Sequence, residues 1–152
     1  MRISLKVTIC GVVLAAMTGA AFAGFAKPEE AIRYRKAVMT VLAQQFGQLA
    51  SVIKGETPYE KKNVEHDAAV IRTMAELPWE AFLYPGSDQG DTSLKSSALK
   101  EKDKFMEVAR QLEAETRKLA DTAQNGNLDS LKAQFGAVVQ TCKTCHSAYR
   151  KK

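Results

Sequence analysis

Near the end of the chain stands Cys142-Lys143-Thr144-Cys145-His146, and its setting constrains the fold more than any other feature. The pattern falls inside the most regular apolar stripe of the sequence, Leu128, Leu131, Phe135, Val138, Cys142, Cys145 and Tyr149. Steps of three and four define one face of an α-helix. At about 100° per residue, Cys145 and His146 lie three and four positions beyond Cys142 and share its face. Two thiols and an imidazole thus project from the surface that such a helix would turn toward a core.

C-x-x-C-H is the attachment signature of a c-type haem. On this face two thiols can form thioethers with the vinyl groups of haem, while the adjacent imidazole reaches iron and the stripe receives the porphyrin. Three other readings are weaker. A thioredoxin-like redox pair wants a βαβ setting and a helix N-terminus, where the dipole lowers the thiol pKa; this pair lies near the C-terminal end of its helix. A structural zinc site wants four ligands, and beyond residue 23 the chain offers Cys142, Cys145, His66 and His146, with His66 expected to face water. Helical i,i+3 cysteines are badly placed for a disulfide. Covalent haem is the reading that the pattern favours.

The N-terminus supports it. Arg2 and Lys6 precede an uncharged apolar run from Val7 to Met17, followed by small residues ending in Ala21-Phe22-Ala23. These are the parts of a cleaved secretory signal peptide. The run is short of the roughly 20 residues that span a bilayer, and a retained anchor is the main alternative. Cys10 lies inside the apolar run and reads as a spacer lost with it. Export suits haem c, which is matured outside the cytoplasm, so a periplasmic location is expected. The predicted mature domain, residues 24–152, loses Arg2 and Lys6, and its formal charge falls from +5 to +3. Nothing in it resembles a concentrated nucleic-acid patch, and no stable membrane anchor is expected.

Four helical segments stand out, and no run reads as a strand. The first starts at Pro28 with Glu29 and Glu30 in its first turn, where the dipole favours acids. Its seam is Ile32, Arg35, Met39, Leu42, Phe46, Leu49 and Ile53, ended by Gly55 and Pro58. The second runs from about Tyr59 to Leu77 and buries Val64, Ala68, Ile71 and Met74. A connection from Pro78 to about Thr92 follows, and loops of that length are often functional. The third covers about Ser93 to Ala123, with Ala98, Phe105, Ala109, Leu112, Thr116 and Leu119 inward. Asn125-Gly126-Asn127 turns tightly into the last. The expected fold is all-α, an antiparallel four-helix bundle carrying covalent haem.

The sequence resembles the class II cytochromes c, and more specifically cytochrome c′. The resemblance spans nearly all of residues 24–152. It rests on Phe25-Ala26-Lys27-Pro28-Glu29 leading to Tyr34-Arg35, on Leu77-Pro78-Trp79 with Phe82, and on the C-terminal Cys142 to His146 followed by Ala148-Tyr149-Arg150-Lys151-Lys152. It implies a bacterial periplasmic bundle, usually a homodimer, with histidine on one face of iron and an empty sixth position. Such proteins bind nitric oxide and carbon monoxide and are linked to nitric oxide handling and to electron transfer with a redox partner that the sequence does not name. An enzymatic role is not expected, since no general base or second cofactor site is visible.

By the same resemblance Cys142 and Cys145 match the thioether cysteines and His146 the proximal iron ligand. Arg150 matches the arginine beside that histidine, although a basic residue near a helix C-terminus also favours the dipole. Arg35 matches an arginine near the haem edge, with Lys36 at the rim; the alternative is an arginine snorkelling out of the seam, and its place in the stripe one turn before Met39 favours the pocket role. Trp79 and Phe82 match aromatics that wall the haem, and any bundle would bury such residues. Lys95-Ser96-Ser97 departs from the family pattern, where an acidic residue and tryptophan often enter the third helix. Met39 matches the residue over the distal haem face. Bound to iron, it would give a low-spin carrier of the cytochrome c-556 kind with a raised potential. Unbound, it would be a flexible lid over five-coordinate iron, offering no hydrogen-bond donor, so that nitric oxide binds well and oxygen poorly. The c′ reading is the expected one.

Overall fold

The computed structural model describes residues 24–152, and the expected signal peptide, residues 1–23, lies outside them. Six helices follow in order: α1 Pro28–Ile53, α2 Lys61–Ala75, α3 Trp79–Phe82, α4 Ser97–Lys100, α5 Lys102–Asn125 and α6 Leu128–Tyr149. The long ones, α1, α2, α5 and α6, form the expected four-helix bundle. The single turns α3 and α4 interrupt the connection between α2 and α5. Among the described residues no helix is long and apolar enough to cross a membrane.

Local chemistry sets the helix ends. Pro28 opens α1, with Glu29 and Glu30 in its first turn. Gly55, at φ 77°, follows its last residues in the left-handed conformation that glycine adopts freely. Between α5 and α6 the chain turns within Gly126 and Asn127. A Cβ at Gly126 would stand 2.6 Å from the Thr122 carbonyl oxygen, so only glycine fits. Asn127 then caps α6. Its side-chain oxygen accepts from the Ser130 N–H, and the Ser130 hydroxyl accepts from the Asn127 N–H, both at 2.9 Å.

The core runs along the bundle axis through Leu49, Val64, Ile71, Phe105, Leu119, Leu131 and Val138, all sealed from solvent. Around the bundle α2 packs on α1 and α5, and α5 packs on α6, whereas α1 meets α6 over only a few residues. The seam of α1 is wider than its three-four periodicity indicated. Val38 and Val52 are buried, while Met39, Phe46 and Ile53 are half-buried. A bundle helix has two neighbours, so its buried arc exceeds a single stripe. In α2, Ala75 is buried and Met74 only half-buried.

The third expected helix is not continuous from Ser93. Leu94 forms an isolated antiparallel bridge with Arg150. The Lys95 N–H donates to the Tyr149 carbonyl at 2.8 Å, and the Lys151 N–H donates to the Ser93 carbonyl at 2.7 Å. Glu101, at φ −113° and ψ 46°, separates α4 from α5. Leu94 is buried and its neighbours pair with the end of α6, a partner that helical periodicity cannot see.

Candidate functional site

Helix α6 carries Cys142 and Cys145 half-buried against the core, both as free thiols. His146 stands at the exposed edge of the same face. Burial raises both thiol pKa values, that of Cys145 to about 11, with the neighbouring Cys142 adding to it. The His146 imidazole lies below its ordinary value, first through partial burial and then through the charge of Arg150. Arg150 is exposed, and its N–H donates to the His146 carbonyl at 3.1 Å.

The end of α6 is held from the side. The Lys95 ammonium donates to the carbonyls of Ser147 at 2.9 Å and Ala148 at 3.2 Å. These carbonyls lie at the helix C-terminus, where a cation is favourable. The residue that departs from the family pattern is thus a clasp on the segment just beyond His146.

Phe46 of α1 and Phe135 of α6 meet with ring centroids 4.7 Å apart. The two helices run antiparallel, so this contact fixes their register. Met39 and Cys142 each lie seven residues from it toward the same end of the bundle, about 10 Å at 1.5 Å per residue. Arg35 and His146 each lie eleven residues away. Met39 is therefore level with the cysteines, and it is half-buried without joining the packed core cluster.

Arg35 is 3% exposed and is held by the long connection. Its Nη1 donates to the Ala81 carbonyl and the Ser87 hydroxyl, both at 2.9 Å. Its Nη2 donates to the Ser87 carbonyl and the Thr92 hydroxyl, both at 2.6 Å. The guanidinium lies 4.9 Å over the Phe82 ring. Burial lowers its pKa to about 10, against the opposing pull of Asp88. With both terminal nitrogens engaged, Nε–H is the one donor of the fork without a protein partner among these bonds. Arg35 thus clamps α1 to the loop. Lys36, beside it, is exposed and ion-paired to Asp91 at 2.8 Å.

Trp79 and Phe82 occupy α3, with ring centroids 6.0 Å apart. Phe105 of α5 touches both, at 6.1 Å and 5.6 Å, and meets Tyr149 of α6 at 5.2 Å. The aromatics therefore link the Arg35 clamp to the helix that carries the cysteines. The indole Nε1 of Trp79 is buried without a hydrogen-bond partner. Sequence reasoning did not single out Ser87 or Thr92, and it met Lys95 only as a departure from the family pattern, without its contact to α6. Ser87 and Thr92 sit among Gly86, Gly90 and polar residues that signal only a turn.

These residues fit a covalently attached haem. Raised thiol pKa values do not suit a thiolate redox pair. Among the described residues no three His, Cys, Asp or Glu side chains converge on a metal-sized site. Two neutral thiols and an imidazole on one half-apolar face, opposite a lone Met39, have the chemistry of haem attachment.

Such a bundle, with C-x-x-C-H closing its last helix, defines a class II c-type cytochrome. The profile described as Cytochrome C' matches residues 30–150. Cytochrome c' of Alcaligenes xylosoxydans xylosoxydans is 38% identical over 128 residues, covering 84% of this chain and 98% of the relative. Cytochrome c prime from Shewanella frigidimarina superposes with a TM-score of 0.82 at 28% identity, covering 85% of this chain and all of that one. A carbon-monoxide-bound variant of the Alcaligenes xylosoxidans protein superposes with a TM-score of 0.78 at 38% identity, covering 84% and 99%. A ferrous variant of that protein with bound NO is equally similar, at 0.78 and 37%, covering 84% and 98%. The chain belongs to the cytochrome c′ family, and its cofactor is a covalently attached c-type haem.

Proposed function

We propose that this protein is an exported, periplasmic cytochrome c′ that binds nitric oxide and carbon monoxide and exchanges electrons, working as a homodimer. Haem supplies the iron centre for both gas binding and one-electron chemistry. Cys142 and Cys145 tether it, and His146 supplies the imidazole on one side. Met39 covers the other side without ligating, as a flexible thioether that a diatomic molecule can push aside. It offers no hydrogen-bond donor, and this favours nitric oxide and carbon monoxide over oxygen. Arg35 contributes by fixing the loop that carries Phe82, Arg150 lies beside the proximal histidine, Lys36 marks the rim, and Trp79 and Phe82 wall the pocket. The function is ligand binding and electron transfer rather than catalysis.

The observation that carries the reading is the position of Met39, level with Cys142 and half-buried outside the core. The relatives solved with carbon monoxide and with NO support the choice of gases. The test is the absorption spectrum of the exported holoprotein, oxidised and then reduced. Broad high-spin bands are expected. Sharp, split low-spin bands on reduction would place the Met39 sulfur on iron and make the protein a cytochrome c-556-like carrier instead. Stable oxygen binding by the reduced protein would refute the distal-side argument.

A further inference from the structure

Positive charge is segregated along this chain. Residues 130–152 contain Lys132, Lys143, Arg150, Lys151 and Lys152 and no acidic side chain. Residues 24–129 contain more acidic than basic side chains, so the positive balance of the described chain comes entirely from α6 and its extension.

The placement of these residues is not scattered. Lys132, Lys143 and Arg150 are separated by eleven and seven residues. At about 100° per residue such steps return to within roughly 20° of one direction. They therefore line one flank of α6, with Arg150 at its C-cap, over about 27 Å at 1.5 Å per residue. His146 stands between this flank and the cysteine face. All five basic residues are exposed. The ion pairs of the described residues all involve other side chains, none beyond Lys118. Lys151 is partly compensated, since its ammonium reaches the Asp88 carbonyl at 3.3 Å and its charge acts on the Asp88 carboxylate. Lys132, Lys143, Arg150 and Lys152 are exposed and have no acidic partner among the described residues.

We propose that this basic flank of α6 is the docking surface for an acidic electron-exchange protein. Unpaired like charges along one flank are unfavourable for the isolated protein and are relieved by an anionic partner. The flank belongs to the helix that binds the haem, so a partner seated there shortens the electron path. One electron leaves the reduced iron and reduces the partner's oxidised centre, or the reverse, with no atom or proton transferred. A protein suits the surface better than an anionic membrane. The large apolar side chains most open to solvent, Val41, Tyr59 and Leu77, lie on or beside α1 and α2, so the flank has nothing to insert into lipid. The proposal rests on the haem reading above.

The test is calorimetric titration of the holoprotein with an acidic [2Fe–2S] ferredoxin, at low salt and at about 0.2 M ionic strength. Covalent haem is confirmed beforehand by a pyridine haemochrome assay, so a negative titration counts against this surface and not against haem attachment. Binding should weaken about tenfold or more on adding salt. The triple variant Lys132→Glu/Lys143→Glu/Lys152→Glu should lose about as much, while Lys54→Glu/Lys61→Glu/Lys62→Glu, an equal charge reversal outside α6, should bind within about twofold of the parent protein. Equal loss in both variants would reduce the effect to net charge and overturn the proposal. Absence of ferredoxin binding, with co-sedimentation on phosphatidylglycerol vesicles, would overturn it in favour of a membrane surface. Binding to neither would also overturn it.

Discussion

Arg35 grips Ser87 twice, through Nη1 to its hydroxyl at 2.9 Å and through Nη2 to its carbonyl at 2.6 Å. One buried guanidinium thereby joins the first helix to a loop 52 residues away. A free loop of this length would have to be ordered at the cost of backbone entropy. Here its fold is fixed by four donors from a single rigid fork, with the Phe82 ring beneath.

Replacing Arg35 should therefore disturb the loop more than the haem linkage. Arg35→Met leaves the Ala81 and Ser87 carbonyls without their donor and should lower unfolding free energy by about 2–4 kcal/mol. Arg35→Lys should recover less than half of that, because an ammonium cannot reproduce the planar fork. Ser87→Ala should cost about 1–2 kcal/mol, and its effect should shrink in the Arg35→Met background. Urea denaturation of the holoproteins measures all three. The folded pKa of about 10 lies below the ordinary 12.5, so Arg35 binds its proton less tightly in the native state. Its contribution to stability is unchanged near neutrality and rises only as pH climbs through 10.

Phe105 is the hub of the aromatic cluster, touching Trp79, Phe82 and Tyr149 at 1% exposure. Phe105→Ala should cost about 3–5 kcal/mol, since side chains of α3 and α6 pack around the space it would leave. Phe46, half-buried against Phe135, has room to be covered by its neighbours. Phe46→Ala should cost roughly half as much. Thermal denaturation followed by circular dichroism distinguishes the two, and equal losses would show that the α1–α6 contact is as tightly packed as the core.

How much of this was legible in the sequence follows from the range of each interaction. The four long helices were readable because the stripe of α6 and the Pro28, Gly55 and Gly126 boundaries are local signals. Cys142, Cys145 and His146 could be placed on one face because helical geometry alone sets their relation. The clasp at Ser93 to Lys95 could not be read, because its hydrogen bonds go to Tyr149 and Lys151, and propensity carries no information about a strand-like partner in a helical protein. The inward pointing of Arg35 was legible from its place in the seam. Its four acceptors were not, since they lie in a loop whose path depends on Gly86 and Gly90 at φ 79° and 74°.

Lys95 closes the last turn of α6 onto the preceding segment, and its removal should fray that turn. Lys95→Met keeps most of the aliphatic stem and removes the ammonium from the Ser147 and Ala148 carbonyls. A stability loss of about 1 kcal/mol is expected. Amide exchange at residues 149–151 should accelerate while that of α5 stays unchanged. Uniform acceleration throughout the bundle would instead mean that the clasp contributes to global folding.

Two buried aspartates should give the acid limb of the stability curve opposite contributions. The Asp88 carboxyl is held below the ordinary carboxylate range, chiefly by the Ser96 side chain, with Gln89 and Lys151 adding to it. A depressed pKa contributes stability that is present above the unfolded value and lost as pH falls through the folded one. Asp88→Asn should therefore lower the thermal midpoint at pH 7 and flatten its decline in acid. Burial pushes the Asp67 carboxyl upward, against the weaker influence of His66. Its contribution has the reverse sign, strongest when protonated and lost as pH rises through the folded value. Asp67→Asn should raise the midpoint at pH 7 and leave it nearly unchanged in strong acid. Melting curves of the two holoprotein variants between pH 3 and 7 should converge toward the parent protein in acid from opposite sides. Variants that stayed separated at low pH would show that the substitutions act through packing and not through charge.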